Sequence, residues 1–194
     1  MVSIENMSKL FKPAETISNL NALPKVSERE DYENCEFSNC SFSDISNLNF
    51  INCSFKNCNL SNCKMNNVKL QEVSFSDCKL LGVNFYQAKD FAFALTCDKC
   101  IMDYASFDSK KLNKSAFKNC KMHEVNFTKT DLTKTTFSDC DLYEAIFAQT
   151  NLSGVDLTTI QNFSIDPEIN NLKKAKFLSQ DLERLLYKYE LIIE

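Results

Sequence analysis

Glycine and proline are scarce in this sequence, whose 194 residues include only two glycines and three prolines. This scarcity excludes a collagen-like chain and a chain rich in flexible linkers, because both need many of these residues. The two glycines, Gly82 and Gly154, are also too far apart to form a glycine-rich loop around a phosphate group. The sequence therefore predicts one domain without a nucleotide-binding loop.

Histidine is almost absent as well, since His123 is the only one. No Ser-His-acid arrangement stands out around it, and we expect it to point outward into solvent. We therefore predict that the protein is not an enzyme. We expect no catalytic residue, no cofactor, no metal and no small-molecule substrate.

Long apolar runs are also missing. No segment approaches the roughly 18 consecutive apolar residues that a membrane-spanning helix needs. The first residues include the acidic Glu5 and lack the apolar segment of a signal peptide. We expect no membrane association and a cytoplasmic location.

The sequence is rich in a repeat of five residues. Large apolar residues, which we call the central residues, occupy every fifth position in two stretches: Phe50, Phe55, Leu60, Met65, Leu70, Phe75, Leu80 and Phe85, then Met102, Phe107, Leu112, Phe117, Met122, Phe127, Leu132, Phe137, Leu142, Phe147, Leu152 and Leu157. On an α-helix a step of five residues turns the side chain by about 140°, so these residues would spiral around it. On a straight strand they would alternate between two faces. A period of five therefore predicts short extended segments separated by corners.

Two further positions of the five-residue unit support this interpretation. Two residues before the central residue the side chain is small, and it should also point inward because strand side chains alternate. Lys110 is the exception and needs an outward path or a local distortion. Two residues after the central residue, turn formers recur at Asn52, Asn57, Asn62, Asn67, Asp77, Gly82, Asn119, Asp139 and Gly154. These residue types tolerate the left-handed backbone of a tight corner.

Individual units match a known consensus. Cys58-Asn59-Leu60-Ser61-Asn62 and Thr130-Asp131-Leu132-Thr133-Lys134 fit A(D/N)LXX, so the pattern resembles the pentapeptide-repeat proteins. The resemblance implies an all-β fold, a right-handed quadrilateral β-helix in which four units make one coil. Central residues one coil apart should then stack, as Phe107, Phe127 and Phe147 would.

We predict three parts of the chain. Residues 1–31 lack the repeat and form an N-terminal cap, residues 32–177 form the β-helix, and residues 178–194 form a short C-terminal α-helix and strand. The repeat slips near residues 43–49 and again near residues 86–101. At the first slip we expect one short or bulged face around Ile45 to Leu48, and at the second a bulge.

The ten cysteines fit the repeat. Nine stand two residues before a central residue: Cys35, Cys40, Cys53, Cys58, Cys63, Cys78, Cys100, Cys120 and Cys140. We interpret them as reduced core residues, because free cysteine packs as a small hydrophobic side chain. Cys100, Cys120 and Cys140 should form a column. The alternative is a metal or redox pair at Cys97 and Cys100, although a zinc site would need a second such pair.

The C-terminal segment has a helical pattern. Ser179 is a candidate N-cap, and apolar residues follow at helical spacing: Leu182, Leu185, Leu186 and Tyr189. This stripe either covers the last coil or joins two copies of the chain. Qnr-type quinolone-resistance members of the family dimerise through such a segment, so the resemblance favours a homodimer with these four residues in the interface.

The resemblance also implies a function. Qnr-type members bind DNA gyrase and topoisomerase IV with a rod whose acidic surface imitates DNA, which implies a type II topoisomerase as partner and fluoroquinolone resistance as the outcome. The candidate partner-binding acidic face consists of Asp131, Asp139, Asp141 and Glu144. The alternative is a rigid protein-interaction scaffold with a different partner. No basic stripe is evident in the sequence, so we expect no direct binding to nucleic acid.

Overall fold

The computed structural model describes residues 15–21 and 31–192, and these residues wind into a parallel β-solenoid. The strands of this part are short: β1 (Glu15–Ser18), β2 (Asp31–Glu33), β3 (Cys35–Ser38), β4 (Asn49–Ile51), β5 (Ser54–Lys56), β6 (Lys69–Gln71), β7 (Val73–Ser76), β8 (Leu95–Asp98), β9 (Ala116–Lys118) and β10 (Thr136–Ser138). The solenoid confirms the fold that the five-residue repeat and its resemblance predict.

Each strand pairs in parallel with the strand one coil away. Seven strands form a sheet in the order β1-β3-β5-β7-β8-β9-β10, and β2-β4-β6 form a second sheet. In the regular coils the paired residues are 20 apart, as with Phe117 and Phe137. Isolated parallel bridges, such as those between Lys121 and Asp141 and between Ser106 and Asn126, continue the pairing on the other sides of the coil.

Four sides therefore surround the core, and we name them by the central residues that they carry. Wall A carries Phe117, wall B Met122, wall C Phe127 and wall D Leu132. In a four-sided coil, wall B lies opposite wall D. The residues directly before and after each central residue point outward, and the next residue forms the corner.

Two coils depart from the 20-residue length. Phe37 pairs with Phe55, 18 residues on, because the chain takes only three residues from Phe42 to the next central residue, Ile45. The coil is thus shortened at the corner just before Ile45, and not at Ile45 to Leu48 as expected. Phe75 pairs with Cys97, 22 residues on, because two extra residues form a bulge on wall D.

The core consists of stacked columns of central residues. On wall C the ring centroids of Phe107 and Phe127 are 5.6 Å apart, and those of Phe127 and Phe147 are 5.3 Å apart. On wall A the column includes Phe75, Cys97 and Phe117. Cys97 thus occupies the place of a phenylalanine, which explains why it alone departs from the cysteine pattern.

The small inward side chains form columns too. All ten cysteines are free and buried, and the wall B column contains six of them: Cys40, Cys58, Cys78, Cys100, Cys120 and Cys140. The Cys58 thiol donates to the Phe37 carbonyl at 3.4 Å, and the Thr130 hydroxyl donates to the Phe107 carbonyl at 2.8 Å. Inward Cys and Thr therefore share one role, which is to bond a carbonyl of the preceding coil.

The corners adopt the predicted left-handed backbone. All nine turn formers that the sequence places there have positive φ, and so do bulkier residues such as Tyr104 (62°), Glu124 (54°) and Lys134 (64°). This conformation costs a residue with a side chain about 1–2 kcal/mol. The corner N–H groups offset that cost by bonding to the next coil, as Glu124 does to the Tyr143 carbonyl at 2.9 Å.

The two ends of the solenoid differ from the middle. Strand β1 pairs with β3, with Ile17 beside Phe37, so the ladder includes a strand that precedes the first predicted repeat. The other residues of the predicted N-terminal cap, 1–14 and 22–30, lie outside the described part. At the C-terminal end, bridges reach Lys176, and Leu172 and Phe177 pack against the core.

The predicted C-terminal helix is present as two 3-10 segments, Ser179–Leu185 and Tyr187–Tyr189. Its hydrogen bonds span three residues, as from the Asp181 N–H to the Leu178 carbonyl at 3.0 Å. A helix this short gains little from α-helical cooperativity, and packing on the coil decides its geometry. The predicted N-cap is wrong, since Leu178 holds that position and makes no side-chain bond. Leu191 and Ile192 lie outside any strand, and Ile193 is not among the described residues.

Candidate partner-binding surfaces

Wall B presents carboxylate and aromatic side chains to solvent because its outward positions stack along the solenoid. Three successive coils contribute three residues each: Ile101, Asp103 and Tyr104, then Lys121, His123 and Glu124, then Asp141, Tyr143 and Glu144. We call these nine residues the wall B patch.

Asp141 is the best connected carboxylate of this patch. Its Oδ2 lies 2.7 Å from His123 Nε2, and its Oδ1 accepts from the Asn162 side chain at 2.9 Å and from the Tyr143 N–H at 3.2 Å. Partial burial pushes the pKa of Asp141 up, but these bonds outweigh it and leave the pKa below its ordinary value. Asp141 therefore stays ionised at neutral pH.

His123 points outward as expected, but it is tied into the wall. Its ring lies 5.4 Å from the ring of Tyr143, and its N–H accepts no solvent because it donates to Asp103 at 3.1 Å. Asp103 also pairs with Lys121 at 2.9 Å, and this bond raises the pKa of the lysine. The wall B patch is therefore held in one arrangement by bonds between neighbouring coils.

Two tyrosines give the patch exposed aromatic area. Tyr104 is 57% exposed and Tyr143 is 49% exposed. Hydrogen bonds to Glu124 and Glu144 raise the pKa of Tyr104 and of Tyr143, respectively. A rigid surface that combines carboxylates with exposed aromatic rings suits contact with a basic protein surface.

The structure brings together three of the four predicted acidic residues. Asp141 lies on wall B, while Asp139 and Glu144 lie at its two corners, with φ of 53° and 54°. Asp131 lies on wall D, on the opposite side, where its carboxylate accepts from the N–H and the hydroxyl of Thr133. The tyrosines and His123 of the patch escaped sequence analysis because only the stacking of coils places them beside the carboxylates.

The bulge on wall D explains Lys110, the exception in the sequence. Lys110 points inward and is buried, and its ammonium bonds to the Ala88 carbonyl and, at 2.6 Å, to Asp90. It also lies 5.2 Å from the ring centroid of Phe93, which packs against Phe85. The local distortion that Lys110 needs is therefore the bulge of the neighbouring coil, which this lysine fastens.

The four predicted dimer residues differ in exposure. Leu182 and Tyr189 are exposed, whereas Leu185 packs against the core of its own chain and Leu186 is half-buried. Further exposed apolar residues lie at this end: Leu178, Tyr187, Leu191 and Ile192. We call Leu182, Tyr187, Leu191 and Ile192 the C-terminal apolar patch.

A cluster of charges fastens this C-terminal segment to the last coil. Lys188 Nζ lies 2.9 Å from both carboxylate oxygens of Asp166 and 2.5 Å from Glu168, and the Tyr189 hydroxyl donates to Glu168. The bonds from Lys188 lower the pKa of Asp166 and of Glu168. We call Asp166, Glu168, Lys188 and Tyr189 the C-terminal clasp.

The thiols of the core are poorly suited to redox chemistry. A hydrogen bond with Cys100 lowers the pKa of Cys97, but complete burial outweighs it and the pKa is raised. Burial raises the pKa of Cys53 to about 11 and that of Cys63 to about 12. Among residues 15–21 and 31–192 no group of three or more His, Cys, Asp and Glu side chains could hold a metal ion. In the same residues no helix is long and apolar enough to cross a membrane.

Comparisons with known proteins agree with this architecture. A family model described as a pentapeptide repeat region matches residues 110–185, and a second, described as pentapeptide repeats in 8 copies, matches residues 34–77. Full-length QnrB1, a plasmid-mediated fluoroquinolone resistance protein, superposes with a TM-score of 0.52 at 19% identity, covering 91% of this chain and 100% of QnrB1. A trypsin-treated QnrB1 variant gives a TM-score of 0.51 at 20% identity, covering 93% of this chain and 98% of the variant. No curated protein sequence matches the chain.

Proposed function

Because the chain belongs to the pentapeptide-repeat family, we propose that it is a non-enzymatic binding protein whose partner is a type II DNA topoisomerase. Its wall B patch would occupy part of the surface where the enzyme holds DNA. The resemblance to Qnr-type members supports this partner, and the matches to QnrB1 support the shared fold. Protection of the enzyme against fluoroquinolones is the proposed consequence.

One observation carries the proposal, namely the rigid line of carboxylates on wall B. Asp103, Asp141 and the corner residues Glu124 and Glu144 come from three coils that repeat every 4.8 Å or so. A surface that binds DNA is basic, and fixed acidic groups complement it and speed association. A DNA duplex carries about one charge per 1.7 Å, so wall B supplies a local acidic contact and not a full copy of the duplex.

We further propose that two copies join through the C-terminal apolar patch, together with Leu185, Leu186 and Tyr189. The seven-stranded sheet spans about 29 Å, which is six spacings of about 4.8 Å. Two chains joined end to end would double this length. Exposed leucine and aromatic side chains at one end of the rod are a typical core for such an isologous interface.

A supercoiling assay with purified DNA gyrase and a fluoroquinolone tests this function. Asp139→Lys with Glu144→Lys should abolish protection, because both residues are exposed at the corners of wall B. Both have positive φ that lysine tolerates, as Lys129 does at 55°. The control is Glu72→Lys with Asp108→Lys, which makes the same charge change on other walls and should leave protection intact.

The same assay also tests the dimer. Leu182→Asp with Leu191→Asp should give a folded monomer by light scattering, since both side chains are exposed and carry little of the fold. This monomer should protect gyrase poorly, whereas Ile146→Asp, a change at an exposed residue of wall C, should remain a protective dimer.

The scaffold alternative predicts a different result. If the wild-type protein neither inhibits nor protects gyrase, the topoisomerase proposal is wrong and the wall B patch serves another protein partner. If both charge-reversed pairs lose protection equally, net charge and not wall B is responsible.

A further inference from the structure

Wall D differs from wall B in the sign of its charge. In the coils around the bulge it carries five lysines: Lys69, Lys89, Lys111, Lys114 and Lys134. Two carboxylates, Glu72 and Asp131, oppose them, while Asp90 is paired with Lys110. Wall D is therefore locally basic on a chain whose formal net charge is −4.

The bulge adds an exposed aromatic ring to this basic surface. Phe91, at its tip, is 76% exposed, and the ammonium of Lys69 lies 5.6 Å from its ring centroid. Phe93, two residues on, is buried and supports the bulge from inside. A phenylalanine held outward by a buried neighbour exposes more apolar area than an isolated fold requires.

An open depression lies beside Phe91. Its lining includes the exposed lysines Lys111, Lys114 and Lys134 and the side-chain amides of Gln71 and Asn113. Lys114 and Lys134 occupy the same corner in successive coils and are therefore about 5 Å apart along the solenoid. Amides and ammonium groups around a free aromatic face suit a ligand with stacked rings and a chain of negative charges.

We propose that wall D binds single-stranded nucleic acid, with one base stacked on Phe91 and the flanking phosphates on Lys111, Lys114 and Lys134. Stacking on an aromatic side chain accepts any base, and lysines contact phosphates as point charges. The sequence alone conceals this surface, because its lysines are scattered over 66 positions from Lys69 to Lys134 and come together only in the coil.

Fluorescence anisotropy with the full chain and a labelled oligothymidine tests the proposal. The affinity should fall as salt rises, with a log–log slope of about −0.7 for each phosphate contacted. Phe91→Ala should weaken binding about tenfold through the loss of stacking. Lys114→Glu with Lys134→Glu should remove most of the binding, and glutamate suits the left-handed corner at 134, as Glu124 and Glu144 show.

The matched control is Lys79→Glu with Lys118→Glu, which changes the net charge equally on walls B and A and should weaken binding far less. Equal loss in the two lysine pairs, no effect of Phe91→Ala, or no binding by the wild-type chain would each overturn the proposal. A poly-glutamate peptide that competes as well as oligothymidine would assign wall D to an acidic protein instead. Duplex DNA that binds as tightly would exclude the stacked base.

Discussion

The stacked aromatic column on wall C makes a quantitative prediction about Phe127. Its ring is fully buried between those of Phe107 and Phe147, at 5.6 and 5.3 Å, and it meets the edge of Phe137 at 6.2 Å. Truncating such a phenylalanine to alanine costs about 3–5 kcal/mol. Three aromatic pairs are lost at once, each worth about 0.5–1.5 kcal/mol beyond burial, so we expect the upper part of that range.

This cost should appear as a large shift in melting temperature. For a chain of this size a destabilisation of 1 kcal/mol lowers Tm by about 2–4 °C, so Phe127→Ala should lower it by about 8–20 °C. Circular dichroism at the β-sheet band, with heat and with urea, gives both Tm and the free energy of unfolding. The far ends of the solenoid contact only their own neighbours, so the loss should centre on the coils next to Phe127.

Thr128→Ala is the matched control for this experiment. Thr128 follows Phe127 directly and points outward, and the change leaves in place the bond from the Thr130 hydroxyl to its carbonyl. An outward residue without a buried contact should cost no more than about 0.5 kcal/mol. Similar Tm shifts for Phe127→Ala and Thr128→Ala would refute the assignment of central and outward positions.

Two further predictions concern the core thiols and the C-terminal clasp. The native protein should react with a thiol reagent only as fast as it unfolds, because the ten cysteines are buried and the pKa of Cys78 and of Cys120 is raised to about 12; stoichiometric bound zinc, or a Tm lowered by a chelator, would contradict this. Lys188 lowers the pKa of Asp166 and of Glu168 from 3.8 and 4.5, so the clasp's contribution to stability is present above those values and is lost as the pH falls through and below them. Lys188→Met should remove part of this dependence, and an unchanged pH profile of Tm in the variant would show that the clasp does not act.

Much of the fold follows from the sequence because each five-residue unit folds by local rules. Inward and outward positions alternate along an extended segment, and corners need residues that tolerate positive φ. The columns through Phe107, Phe127 and Phe147 and through Cys100, Cys120 and Cys140 therefore follow from counting. The general position of the C-terminal helix follows from its apolar spacing, although its 3-10 geometry depends on packing.

The candidate surfaces could be predicted only in part. Asp139, Asp141 and Glu144 come together as the count suggests, because they belong to adjacent positions of one coil. Asp131 is ten residues before Asp141, which is half a coil, so it faces the opposite way. Charge counted along the chain mixes the two walls, and this is why the basic character of wall D was not expected.

The sequence by itself determined the repeat, the buried columns and the corners, since these depend on residues close together in the chain. The tertiary structure alone decided how the slips are absorbed, because a coil of 18 or 22 residues can be shortened or extended at any of its four sides. The packing of neighbouring coils placed the extra residues on wall D, where Lys110 fastens them, and put Cys97 in a phenylalanine column. That choice depends on contacts between residues some 20 positions apart, which no local pattern specifies.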